Sequence, residues 1–152
     1  MAGVGMYFEE FTEGQDFTTR SRIITATDID LFTSLTWAAN PLFLSDESAR
    51  GKGLQARVAP GALIISTAIG LLYQLGLFDH ITALAGIDKL SFRSPTHPGD
   101  EIGVRATVLE KRDTRSPEKG VVRLAVRCEN KTRDAVAFEC EMVFIILKRM
   151  QP

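Results

Sequence analysis

From Val58 to Phe78 the chain carries no charged residue, and that run limits the folds open to it more than any other feature. A stretch of this kind lies in a protein core or in a bilayer. A spanning helix needs about 20 predominantly apolar residues, whereas Pro60, Gly61, Gly70, Gln74 and Gly76 dilute this one. The reading is therefore a helix buried on nearly every side and no membrane span. Pro60 suits its first turn and Gly76 lies near its end.

A helix with so much to bury needs a wrapper, and the rest of the chain supplies strands. Residues 81–92, 101–109, 121–128 and 135–147 read as four consecutive strands, and residues 16–24 as an earlier one. In the third of the five, Ile102, Val104, Ala106 and Val108 alternate with Glu101, Gly103, Arg105 and Thr107, the pattern of a sheet with one buried face. Between the first strand and the long helix, Thr25 and Asp28 can cap a helix whose apolar side would be Ile29, Leu31, Phe32 and Leu35. Asn40-Pro41 ends it on a turn. Early strand, helices, then four strands predict an α+β fold, a five-stranded antiparallel sheet packed on one long apolar helix.

The length of 152 residues suits one domain spanning 1–152, burying roughly 70% of its unfolded surface. Eighteen Lys plus Arg against 19 Asp plus Glu leave no basic stripe, so neither nucleic acid nor an anionic membrane is expected as partner. The N-terminal residues show no basic segment followed by an apolar one, so no signal peptide is read and the cytoplasm is the expected compartment. Cys128 and Cys140 fall on facing strands of one hairpin. Folding at Asn130-Lys131-Thr132 sets Cys140 opposite Val122 or Leu124, with Cys128 four to six residues further along, roughly 13 to 20 Å away. No disulfide spans that distance, and two thiols without a nearby His do not suggest a metal site.

The segments 24–32, Trp37-Ala38-Ala39-Asn40-Pro41-Leu42-Phe43 and Val58-Ala59-Pro60-Gly61 together resemble the MaoC-like acyl dehydratases and (R)-specific enoyl-CoA hydratases. The pattern of that family is a capped helix, then Asp-x-Asn-Pro-(Leu/Ile)-His, then Ala-His-Gly opening a long apolar helix. Ser91-Phe92-Arg93-Ser94-Pro95-Thr96-His97-Pro98-Gly99-Asp100 is similar to the Phe-x-x-Pro-x-x-x-Gly-Asp run of the same family, and the matching pieces reach from about Phe8 to Leu147. The resemblance implies the hotdog architecture. It also implies a site where Asp and His activate water for addition to a 2-enoyl thioester while a backbone N–H polarises the carbonyl. In this chain Ala38 stands at the Asp position, Phe43 at the His position and Pro60 before the glycine. The resemblance makes Gly61 the amide donor and Asn40, Phe43 and Gly61 the substrate-binding residues, with no cofactor and no metal. The implied partner is an acyl-CoA or acyl-carrier thioester, and the implied assembly a homodimer or a heteromer with a hotdog homologue.

Neither Ala38 nor Phe43 can move a proton, so no catalytic residue is assigned. Asp46, Glu47, His97 and Asp28 are the candidate substitutes. Each has a plainer reading: Asp46 and Glu47 as first-turn acids of a short helix, Asp28 as a cap, His97 as a solvated turn residue. His80, beside Asp79, reads as an end-of-helix residue, and Trp37 as core or, near the site, as acyl lining. Arg50, Lys52, Arg57, Lys89 and Arg93 are the cations available to a CoA nucleotide. Three functions follow: an active hydratase with substitute residues, a silent acyl-thioester-binding subunit, and a hotdog thioesterase. The last is disfavoured because no carboxylate lies between Val58 and Phe78.

Overall fold

The computed structural model describes residues 5–150; residues 1–4, where the leader reading begins, lie outside the described residues. Two short strands come first, β1 (Asp16–Thr18) and β2 (Arg22–Ile23), and both pair antiparallel with β4 (Glu101–Asp113). The sequence predicts one strand here, and the division has a local cause. Thr19 N–H donates to Val104 O (3.0 Å), but the Val104 N–H turns to Thr19 Oγ1 (3.0 Å) rather than to a main-chain carbonyl. The ladder then resumes at Arg22 opposite Ile102 with one residue extra, which is the signature of a β-bulge. The remaining strands are β3 (Ile81–Phe92), β5 (Lys119–Asn130) and β6 (Ala135–Leu147), in the order β1-β4-β5-β6-β3 with β2 beside β1 on β4. Five positions across one antiparallel sheet are therefore filled, as expected.

Thr25 starts α1 (Ala26–Thr36) with a reciprocal cap: its Oγ1 accepts the Asp28 N–H (3.1 Å), and Asp28 Oδ2 accepts the Thr25 N–H (2.8 Å). The buried side of α1 is narrower than the sequence suggests. Ile29 and Thr33 are buried and Phe32 packs at the flank, while Leu31 and Leu35, one turn apart on the far side, are 65% and 84% exposed. Trp37 ends the helix in a left-handed conformation (φ 62°) and is 90% exposed, so it is not core. Asn40 caps α2 (Pro41–Leu44) through Oδ1 to the Leu42 N–H (3.0 Å), and Ser45 caps α3 (Asp46–Arg50).

The uncharged run forms α4 (Gly61–Tyr73), shorter than predicted because the chain leaves the helix at Gln74 and turns at Gly76 (φ 73°). Leu63, Ile64, Thr67, Ala68, Leu71 and Leu72 pack into the core with the inward residues of the sheet, including Val104, Leu124, Phe138 and Phe144. The helix is not covered all round, however: Ala62, Ser66, Gly70 and Tyr73 form an exposed stripe. This helix buried in an antiparallel sheet is the hotdog arrangement. Leu72 is fully buried, so Leu72→Ala should cost about 2–5 kcal/mol, read from chemical denaturation at neutral pH. No helix of the described residues is long and apolar enough to cross a membrane.

The β5–β6 register differs from the sequence reading. Asn130 pairs with Ala135 across a four-residue loop and a bulge follows at Cys128/Glu129, so Cys140 faces Val126 and Cys128 faces Phe138. The two cysteines are thus diagonal neighbours, roughly 7–8 Å apart at the backbone, closer than expected yet still too far for a relaxed disulfide. Both are free and buried. Burial pushes the Cys128 thiol up to about 12 and the Cys140 thiol up to about 11, so neither is a ready thiolate.

Candidate functional site

The first turn of a helix leaves amides without intrahelical partners. Pro60 is the N-cap of α4 and has no side chain to cap them; the N–H groups of Leu63 and Ile64 reach its carbonyl (3.0 and 3.3 Å). The Gly61 amide stands before them, at the positive end of the helix. Gly61 is one of the residues lining a cavity of about 260 Å³, with Val58, Ala59, Ile64, Phe92, Ser94, Pro95, Thr96 and Ala137. The segment entering the helix is fixed on both sides. Ala59 N–H donates to Thr96 O (2.7 Å), and Val58 N–H donates to Leu42 O (3.1 Å). Glycine also lets the Phe92 ring sit close: a Cβ at 61 would lie 2.6 Å from the tip of that ring, which would have to shift.

Of the residues the sequence assigns to substrate binding, only Gly61 lines this cavity. Asn40 is exposed and its side-chain oxygen caps α2, Ala38 is exposed, and Phe43 is half-buried against the core. The Leu42–Val58 hydrogen bond ties their turn to the approach to Gly61. Phe92 and Thr96 fall within the quoted motif, yet the sequence reading gives them no role; both line the cavity.

The candidate substitutes divide. Asp46 and His97 come together in a separate polar recess of about 330 Å³ with Gln55, Ala56, Arg57, Pro98 and Arg133. Asp46 is spent in part, its Oδ1 accepting the Arg57 N–H (2.9 Å). His97 is not the solvated residue the sequence suggests. It is 6% exposed, its N–H donates to Asp100 (2.9 Å), and its Nδ1 lies 2.9 Å from Arg57 O. A carbonyl oxygen only accepts, so that contact puts a proton on Nδ1. Glu47 is exposed on α3, outside both cavities. Asp28 holds the α1 cap and pairs with Arg22 (2.7 Å). His80 is half-buried and stacks on Tyr7 at 3.8 Å, away from both recesses. Among the cations, Arg57 meets Asp30 (3.4 Å), Lys89 meets Glu141 (3.0 Å), Arg93 meets Glu139 (3.5 Å), and Arg50 donates to Gln55 O (3.1 Å). No cluster of His, Cys, Asp and Glu able to hold a metal occurs among the described residues.

A helix start opening on a small apolar cavity inside a wrapped sheet defines a hotdog protein. The MaoC like domain family matches residues 9–130, and the chain belongs to that family. It is 35% identical over 109 residues to Protein MaoC of Klebsiella aerogenes, covering 69% of this chain and 31% of that protein. It is 26% identical over 132 residues to the mitochondrial 3-hydroxyacyl-[acyl-carrier-protein] dehydratase of Arabidopsis thaliana, covering 86% and 75%. Among solved structures, the monoamine oxidase regulatory protein from Archaeoglobus fulgius superposes with a TM-score of 0.88 at 30% identity, covering 96% of this chain and 97% of that one. The (R)-hydratase from A. caviae involved in PHA biosynthesis superposes at 0.74 and 27% identity, covering 90% and 97%. The chain spans about a third of the length of the Klebsiella protein.

Proposed function

We propose that this chain, as a single MaoC-like hotdog domain, binds an acyl thioester of CoA or of an acyl carrier at the start of α4, and that alone it is a poor hydratase. The observation that carries the reading is that the first residue of α4, Gly61, lines a mostly apolar cavity whose lining holds no carboxylate and no imidazole. A carbonyl oxygen accepts that amide hydrogen bond and the acyl group fills the apolar space. Ala38 and Phe43 stand in for the acid/base pair and supply no proton transfer. The names of relatives agree with the ligand class, the Arabidopsis protein being a 3-hydroxyacyl-carrier dehydratase. We read the assembly as a homodimer or a heteromer with a second hotdog chain. Among the described residues β3 is paired only with β6 along its length, and its free edge needs a cover.

A second reading rests on the Asp46/His97 recess. In it the two act as a substitute acid/base pair, with the proton exchanged at His97 Nε2. The test is to incubate the folded chain near stoichiometry with trans-2-enoyl-CoA esters of increasing length, following loss of the conjugated double bond, release of free thiol and binding. Binding without either reaction is the expected outcome. Double-bond loss abolished by His97→Gln would replace the proposal with the second reading, and thiol release would revive the thioesterase.

A further inference from the structure

One residue lining the cavity at the start of α4 carries a side-chain polar group that nothing in the fold uses. Four threonines are buried among the described residues, and three spend their hydroxyls locally. Thr19 donates to Arg20 O (2.7 Å), Thr33 to Asp30 O (3.1 Å) and Thr67 to Leu63 O (2.8 Å). Thr96, 3% exposed, is the exception: its Oγ1 is buried and meets no hydrogen-bonding partner among the described residues. The other hydroxyl-bearing residue that lines the cavity is accounted for, since Ser94 donates to Val136 O (2.6 Å). Buried polar groups are nearly always paired, so an orphan calls for a reason. A valine would fill the same volume without a polar atom.

The placement of this hydroxyl supplies the reason. The carbonyl of Thr96 holds the Ala59 N–H at 2.7 Å, two residues before Gly61, and Thr96 and Gly61 line one cavity. Apart from Ser94, the remaining side chains there are apolar. An sp² oxygen has two lone pairs, and the oxyanion-like form of a thioester carbonyl is held best by two donors. We propose that the Thr96 hydroxyl is the second donor to the thioester carbonyl held by the Gly61 amide, a positioning residue that selects thioesters over ligands lacking the carbonyl oxygen. This rests on the acyl-thioester reading above. Phe92, 52% exposed, lines the same cavity; because the Thr96 hydroxyl is buried, its donation to a bound thioester requires that the Phe92 ring turn aside as the thioester enters.

The experiment measures calorimetric binding of butyryl-CoA, which cannot be hydrated, and of S-butyl-CoA, its thioether without the carbonyl oxygen. Wild type, Thr96→Val and Thr96→Ser are compared, each with its melting temperature. The valine variant should bind butyryl-CoA about 5- to 10-fold more weakly, the loss expected for one hydrogen bond, and bind the thioether as wild type does. The serine variant should stay close to wild type for both. The valine variant should melt no lower than wild type, because it removes an unpaired polar atom without changing volume. Unchanged butyryl-CoA binding in Thr96→Val, or equal losses for both ligands, overturns the Thr96 assignment and leaves the proposed function standing. A serine variant that loses the thioester preference also overturns it. Failure of wild type to bind either probe at millimolar concentration overturns the proposed function, and this inference with it.

Discussion

The double variant Ala38→Asp, Phe43→His is expected to hydrate crotonyl-CoA at least about 10²-fold faster than the natural chain, because each restored acid/base group is typically worth about 10² to 10⁴ in rate. This follows from the proposed reading that the amide half of a hydratase site is kept and the proton-transfer half is not. The turn that would present the new pair is well held. Asn40 caps α2, and Leu42 O accepts the Val58 N–H at 3.1 Å, three residues before Gly61. Phe43 packs partly against the core, so the histidine costs some packing, and the melting temperature must be measured beside the rate. Neither single variant should reach the gain of the pair, since groups that activate one water act as a unit. A folded double variant with no gain would mean that the frame around positions 38 and 43 no longer aims at the cavity, and the reading of two missing side chains would fail.

What the sequence makes legible here is decided by periodicity. The faces of β6 can be read in advance because alternation marks them; the bounds of β3 also match, but its three register shifts and non-alternating burial are not visible in the sequence. The Thr25–Asp28 cap is legible because both of its hydrogen bonds lie within four residues. Less is visible where a distant partner decides. The bulge at Thr19 depends on a side-chain oxygen taking the Val104 amide, and the β5–β6 register on a loop one residue longer than assumed plus a second bulge. Four apolar residues in α1 point to a broad buried face, yet only Ile29 and Thr33 of the helix are buried.

The site divides in the same way. Gly61 at the start of α4 is readable from Pro60-Gly61 followed by an uncharged run. The partnerless hydroxyl of Thr96 is not, because absence of a partner is a property of the packed fold. His97 reads as a solvated turn residue for a related reason. Its burial depends on Arg57 O, 40 positions away, and on Asp100, whose role appears only once Asn130 and Arg133 are beside it.

Removal of that aspartate is expected to be the most destabilising single charge change in the chain. The Asp100 side chain is 3% exposed, and its Oδ2 accepts the His97 N–H (2.9 Å), Asn130 Nδ2 (2.8 Å) and Arg133 Nε (2.7 Å). It thereby joins the turn before β4 to the end of β5 and the β5–β6 loop. Burial by itself would raise its pKa; the hydrogen bonds from Arg133, His97 and Asn130 outweigh burial and hold it below the ordinary carboxylate value. Breaking a buried ionic pair costs about 3–5 kcal/mol. Arg133 is 38% exposed and can turn to water, so Asp100→Ala should fall near the lower end, about 3 kcal/mol by denaturation at neutral pH. Because the folded pKa is depressed, the contribution is fully present above the unfolded value of about 3.9 and is lost as pH falls through the folded value. Asp100→Asn should therefore lose stability at neutral pH and also show a flatter decline between about pH 5 and 3. A loss below about 1 kcal/mol in both variants would show that Asn130 and Arg133 re-pair without the carboxylate. It would remove Asp100 as the anchor that holds Thr96 and His97 against the approach to Gly61.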